Sequence, residues 1–129
     1  MKLRMMLTVA AVVLMAGCVS MPTPEEIAKL DYGDPITIDY EAAIKNHFKR
    51  ILFDPYSAQY DFQSPRQHWL KEPPLFGGRL YAGYMVFVGV NAKNRMGGYV
   101  GMQDYGFIFK NDTIIRVLGP AEISMIKQQ

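Results

Sequence analysis

The chain has 129 residues, half of them apolar, with 14 Lys and Arg against 12 Asp and Glu. This length suffices for one compact domain and excludes a multidomain enzyme. Lys2 and Arg4 are among the 14 bases, so 12 bases balance 12 acids beyond the first four residues. A neutral domain lacks the basic face that nucleic-acid binding normally needs.

Residues 1–17 have the pattern of a signal peptide. Two bases precede an apolar run from Met5 to Ala16, which is shorter than the roughly 20 residues of a membrane-spanning helix. The segment from Leu14 to Cys18 resembles the bacterial lipobox, in which the Cys is thioether-linked to diacylglycerol and becomes the new N-terminus. The alternative is an ordinary signal peptide with Cys18 near its cleavage site. The pattern predicts removal of residues 1–17 and anchoring through an acylated Cys18.

Cys18 is the only cysteine of the chain, so no internal disulfide can form. A lipidated thiol cannot serve redox chemistry, metal binding or nucleophilic catalysis. Two or three acyl chains hold a protein on a membrane more firmly than one chain does. Val19 rather than Asp follows Cys18, and in similar lipoproteins of Gram-negative type this indicates the outer membrane. We therefore expect a protein on the inner leaflet of the outer membrane, facing the periplasm.

The mature chain begins with a predicted tether, residues 18–36, which contains three prolines and at most a helical turn between Glu25 and Leu30. The globular domain is predicted over residues 37–120. Asp39 can cap an amphipathic helix that ends at Asp54-Pro55, because the residue before a proline is pushed out of the α region. Its apolar positions have helical spacing and are Tyr40, Ala43, Ile44, His47, Phe48, Ile51 and Leu52.

The rest of the domain has the composition of a β-sheet. A short strand is predicted over residues 59–63 and a long proline-rich loop over residues 64–78. The next strand, residues 79–90, is apolar on both faces and should be central in its sheet. Residues 99–109 and 113–118 predict two more strands, joined by a hairpin turn at Lys110-Asn111-Asp112.

Residues 121–129 are predicted to form a C-terminal tail with a weak helix. The expected fold class is α+β, with one N-terminal amphipathic helix packed on a three- to four-stranded antiparallel sheet.

Two short stretches carry a resemblance to known proteins: Phe53 to Ala58, FDPYSA, and Asn91 to Gly101, NAKNRMGGYVG. They resemble a group of small bacterial envelope lipoproteins and phage- or plasmid-borne proteins with a DP-x-SA step and an NAKN-x-x-GGY-x-G turn. In that group an apolar or Cys-containing strand leads into the turn, and residues 87–90 here contain no Cys. The resemblance covers roughly residues 40–110 and implies fold and envelope location, but no activity.

The sequence contains no pattern typical of a hydrolase or a metal site. A G-x-S-x-G elbow and metal-binding His motifs are missing, and only His47 and His68 could act as a base near neutral pH. His47 lies on the apolar stripe of the helix, which indicates a structural role. We expect a non-enzymatic interaction or accessory module without a cofactor. The alternative is a small periplasmic hydrolase or ligand-binding enzyme that uses His68 near Trp69.

The predicted loop from Pro65 to Phe76 is the first candidate partner-binding site, since it carries Arg66, His68, Trp69 and Phe76. Aromatic side chains and Arg are the residues that protein interfaces use most as hot spots. In the alternative interpretation Trp69 and Phe76 fold back as a lid over the sheet. The expected partner is another envelope protein.

The glycine-rich stretch 91–101 is the second candidate, because Lys93 and Arg95 lie beside Gly97, Gly98 and Gly101. A phosphate-binding loop would need a helix to follow it, with its N-terminal amides directed at the anion. A strand is predicted there instead. The pattern favours a wide β-turn with Lys93 and Arg95 as exposed contact points.

Overall fold

The structure is a computed structural model that describes residues 20–127. The predicted signal peptide and the acylation of Cys18 therefore lie outside the described residues. Within this range the chain is α+β, with a five-stranded antiparallel sheet and three α-helices. The helices are α1 Pro24–Ala28, α2 Tyr40–Lys49 and α3 Pro120–Ile126, and the strands are β1 Gln59–Phe62, β2 Arg66–Lys71, β3 Leu80–Asn91, β4 Gln103–Lys110 and β5 Thr113–Leu118.

The strand count of three to four was wrong, because the predicted proline-rich loop contains β2. β1 pairs with residues 88–91 of β3 and β2 with residues 80–85, and both lie on the edge opposite β4. They form one edge strand that is interrupted around Pro65, which has no N–H group to donate to the sheet. Five strands thus occupy four lateral positions. β3 is central, as its apolar faces predicted.

The predicted amphipathic helix is α2, and it is not N-terminal because α1 precedes it. The Asp39 carboxylate accepts a hydrogen bond from the Ala42 N–H at 2.9 Å, which confirms the predicted cap. The helix ends well before Asp54-Pro55. The Arg50 N–H donates to the His47 carbonyl at 3.2 Å. This hydrogen bond joins residues three positions apart and tightens the last turn of the helix.

Both faces of the sheet are covered by a helix. On one face, Ile44 and Phe48 of α2 are fully buried against β3 and β4, where they contact Val86, Val88, Val90, Phe107 and Phe109. On the other face, Ile123 of α3 is buried against Met85, Ile108 and Leu118. A Cβ added at Gly106 would lie 2.9 Å from Ile123 Cδ1 and 3.0 Å from Met85 Sδ. The close approach of α3 therefore requires a glycine in β4.

The turn between β4 and β5 holds the chain that precedes α2. Asn111 and Asp112 have φ values of 49° and 61°, the left-handed conformation that two-residue hairpin turns use, so this predicted hairpin is confirmed. The Asn111 side chain accepts from the Asp34 N–H at 3.2 Å, and Asp112 accepts from the Thr37 N–H at 2.8 Å. The C-terminal part of the predicted tether is thus bonded to the hairpin. Among residues 20–127, every helix is too short or too polar to cross a membrane.

Candidate functional site

The structure places the candidate partner-binding residues at opposite ends of the sheet. His68 lies opposite Gly83 in the first half of β3, and Phe76 lies in the connection that leads into β3. Lys93 and Arg95 follow the other end of β3. The twelve residues of this strand span about 36 Å at about 3.3 Å per residue. These side chains therefore belong to two separate sites.

The Pro65–Phe76 segment is not the continuous loop that was predicted, since half of it, Arg66–Lys71, is strand β2. Side chains of a strand alternate between its two faces, so Arg66 and His68 lie on the α3 face of the sheet and Trp69 lies on the α2 face. Trp69 is half-buried opposite Ala82. Phe76 belongs to a short 3₁₀ turn and is 71% exposed. Phe76 therefore does not fold back as a lid over the sheet.

The two stretches that carry the sequence resemblance are in direct contact through Ser57. Its Oγ accepts a hydrogen bond from the Lys93 N–H at 2.9 Å and donates one to the Asp54 carbonyl at 2.7 Å. The Tyr99 hydroxyl donates to the Ser57 carbonyl at 3.0 Å. The DP-x-SA step and the glycine-rich turn therefore form one hydrogen-bonded unit at the end of the sheet.

The glycine-rich turn is held by its own asparagines. Asn94 Oδ1 accepts from the N–H groups of Met96 at 2.9 Å and Gly98 at 3.2 Å, and Asn91 Oδ1 accepts from the Gly101 N–H at 3.1 Å. A phosphate-binding loop would need such N–H groups free to meet the anion. The segment continues into strand β4 instead of a helix. The wide-turn interpretation is confirmed, but only Arg95 is exposed as expected, since Lys93 is half-buried.

This unit carries a cluster of exposed apolar side chains, which we call the loop-end surface: Phe53, Tyr56, Met96, Tyr99 and Val100. Phe53 is 65% exposed, Tyr56 96% and Met96 94%. Lys93 Nζ lies 5.6 Å from the centroid of the Tyr99 ring, and Arg95 Cζ lies 5.9 Å from that of Phe53. Neither cation forms an ion pair with another described residue. The surface is thus aromatic, apolar and positively charged at its edge.

A second candidate site is a cleft of about 670 Å³ between β2, β5 and α3, which we call the α3 cleft. This volume is typical of small-molecule sites, which range over about 300–1,000 Å³. Sequence analysis missed it because its walls come from segments far apart in the chain. Its apolar lining residues are Met21, Trp69, Leu70, Pro73, Phe76, Leu118, Met125 and Ile126.

The charged residues that line the α3 cleft are Lys71, Glu72, Arg116 and Glu122, and Arg116 is paired with both carboxylates. Nε contacts Glu72 Oε1 at 3.1 Å, Nη2 contacts Glu122 Oε1 at 2.6 Å, and Nη1 donates to the Val117 carbonyl. Partial burial acts to lower the pKa of Arg116, but the hydrogen bonds and charges of Glu122 and Glu72 raise it overall. Glu122 also accepts from the Gly119 N–H at 3.0 Å. This network ties β5 to α3 and to the β2–β3 connection.

His68 lines the same cleft as a half-buried side chain. Its ring packs edge-on against Phe87, with 6.1 Å between the centroids. Burial, and then the nearby charge of Arg66, lower the pKa of His68 below its usual value of about 6.5, so the imidazole is neutral at pH 7. Between residues 20 and 127, neither a hydrogen bond nor an ion pair joins it to an acid, and no three His, Cys, Asp or Glu side chains form a metal-binding group.

His47 packs against two core rings, as its position on the apolar stripe predicts. Its centroid lies 5.3 Å from that of Phe107 and 5.6 Å from that of Phe48. Burial, and to a smaller extent Arg50, lower the pKa of His47.

Comparison of the chain with protein-family models, with curated proteins and with solved structures finds no match.

Proposed function

We propose that this chain is a lipid-anchored protein of the bacterial envelope that acts as a non-enzymatic interaction module. An acylated Cys18 holds it on the inner leaflet of the outer membrane, and the domain faces the periplasm. The leader pattern of residues 1–17 and the resemblance of two stretches to small envelope lipoproteins support this proposal. The loop-end surface is the part that contacts an envelope protein partner.

The exposed loop-end surface is the observation that carries the proposal. Large apolar side chains that cluster on a surface mark interaction sites, and interface cores are enriched in aromatic residues, Met and Arg. Ser57 and Asn94 hold the surface in one conformation through backbone hydrogen bonds. A prearranged surface loses little conformational entropy on binding. Lys93 and Arg95 at its edge favour a partner with an acidic rim around an apolar centre.

The route of the N-terminal chain supports a protein partner over the membrane itself. Met21 lines the α3 cleft, and residues 34–37 are bonded to the β4–β5 turn. The three residues from Met21 back to Cys18 span at most about 11 Å. The turn lies at the opposite end of the sheet from the loop-end surface. An anchor at Cys18 thus leaves this surface remote from the lipid.

The anchor is tested by mass spectrometry of the mature N-terminus. We expect an N-terminal Cys18 that carries diacylglycerol. An unmodified Cys18, or cleavage at another bond, contradicts the anchor.

The interaction surface is tested by affinity purification of the acylated protein from membranes. Phe53→Ser and Arg95→Glu alter the loop-end surface, while Leu75→Ser and Arg79→Glu are matched changes of exposed residues at the other end of the sheet. Loss of a hot spot costs about 2 kcal/mol or more, or about 30-fold in Kd. We expect the first two variants to lose a co-purified envelope protein at unchanged melting temperature. Equal recovery with all four variants contradicts the proposal.

The second candidate function is a small periplasmic hydrolase or ligand-binding enzyme that uses His68. The observation in its favour is that His68 lines a cleft of small-molecule size. Trp69 also lines this cleft next to His68, although the side chains of these two adjacent β2 residues point to opposite faces of the sheet. Hydrolysis of p-nitrophenyl esters that His68→Ala abolishes at unchanged stability would favour this function over an interaction module.

A further inference from the structure

The α3 cleft has the lining expected for a hydrocarbon ligand. Leu70, Leu118 and Ile126 line its walls, and Met21 and Met125 lie at its surface. Unbranched Met side chains adapt to ligands of variable shape. Met125 is 67% exposed although it is part of α3. The lining of the cleft is therefore apolar and adaptable.

The charges of the cleft disfavour an anionic ligand. The Arg116 guanidinium is already bonded to Glu72, Glu122 and a backbone carbonyl. Lys71 lines the cleft, but it is one of the β2 residues whose side chains alternate to the α2 face of the sheet. His68 is neutral at pH 7 for the reason given above. Two carboxylates thus already balance the charge of Arg116, which together with the apolar lining favours a neutral hydrocarbon chain over a free carboxylate.

The N-terminal chain leads directly to this cleft. Met21 lines it, and Cys18 lies only three residues earlier, which at about 3.3–3.6 Å per residue places an acyl group on Cys18 within about 11 Å of the cleft. A ligand on so short a tether has an effective concentration on the order of millimolar. Chain geometry thus favours this occupant over a free lipid or a segment of another protein.

We infer that the α3 cleft binds one acyl chain of the protein's own lipidated Cys18. The inference rests on the proposed acylation and adds a binding site to it. A mature lipoprotein carries two or three acyl chains, so the remaining ones stay in the membrane. When the cleft binds one acyl chain, the cleft side of the domain stays at the membrane surface and the loop-end surface stays away from the membrane.

The test uses the full protein in cells that are fed a fatty acid with a terminal alkyne and a photoactivatable diazirine. After irradiation of the membranes, the purified protein is digested and its crosslinked peptides are identified by mass spectrometry. We expect intramolecular crosslinks from Cys18 to the peptides that contain Leu70, Phe76 or Met125. Met125→Glu places a carboxylate in the cleft and should reduce these crosslinks at least about tenfold. Ala121→Glu, on an exposed position of the same helix, should leave them unchanged.

The outcomes separate this inference from the proposed function. A labelled Cys18 that crosslinks only to phospholipid, to a second copy or to another protein overturns the cleft inference and leaves the anchor intact. Intramolecular crosslinks that Met125→Glu does not reduce also overturn it. A Cys18 without label overturns both the inference and the proposed anchor. Thermal melts of both variants, which alter exposed side chains, check that the domain remains folded.

Discussion

Replacing Ile44 by Asp should unfold most of the domain at neutral pH. Ile44 is fully buried between α2 and the sheet. Loss of a buried Ile side chain costs about 2–5 kcal/mol. A carboxyl at this depth must also be neutral, and protonating a group of pKa about 3.9 at pH 7 costs about 4 kcal/mol, at about 1.4 kcal/mol per pH unit. The total of about 6–9 kcal/mol is comparable with the whole stability of a typical domain, about 5–15 kcal/mol.

The assay is urea unfolding followed by circular dichroism at pH 7 and pH 4. The ionisation cost nearly disappears at pH 4, so Ile44→Asp should approach its neutral counterpart Ile44→Asn there and be far less stable than it at pH 7. Asn46→Asp places the same charge on the exposed side of α2 and should change the free energy of unfolding by less than about 0.5 kcal/mol. If Ile44→Asp and Asn46→Asp unfold at the same urea concentration at pH 7, the packing of α2 on the sheet is wrong.

Three further predictions concern the sheet. Gly106→Ala should lower the free energy of unfolding by about 1–3 kcal/mol and speed amide exchange in α3, because its Cβ would meet Ile123. The control Gly98→Ala meets nothing closer than 4.0 Å and should be nearly neutral. Equal losses of stability would contradict the packing of α3. Burial lowers the pKa of His68 in the folded state, so protonation favours the unfolded state. The contribution of His68 to stability should be full above pH about 6.5 and decrease as the pH falls toward the folded pKa. An NMR titration of His68 with a midpoint at or above 6.5 would refute this. Trp69→Ala should lower the free energy of unfolding by about 2 kcal/mol, since the side chain is half-buried, without affecting partner recovery; partner loss at unchanged melting temperature would place the binding site at Trp69 instead.

The elements that could be predicted from the sequence are those that local chemistry determines. The helical spacing of apolar residues around Ile44 and Phe48 predicts α2, because one face must be buried whatever it packs against. Asn111 and Asp112 predict the hairpin, because their side chains tolerate positive φ. Apolar residues at both odd and even positions predict that β3 is central, since both its faces need cover.

The tertiary structure decided the features that depend on residues distant in the chain. β2 contains no strong strand signal and is flanked by prolines, yet it forms because β3 offers a free edge of backbone hydrogen bonds. The loop-end surface exists only because Ser57 meets Lys93 and Tyr99, 36 and 42 residues away. In the α3 cleft, Arg116 is bonded to Glu72, 44 residues earlier, and to Glu122. Composition and periodicity report on near neighbours along the chain, whereas a site depends on which distant side chains the sheet brings within a few ångströms of each other.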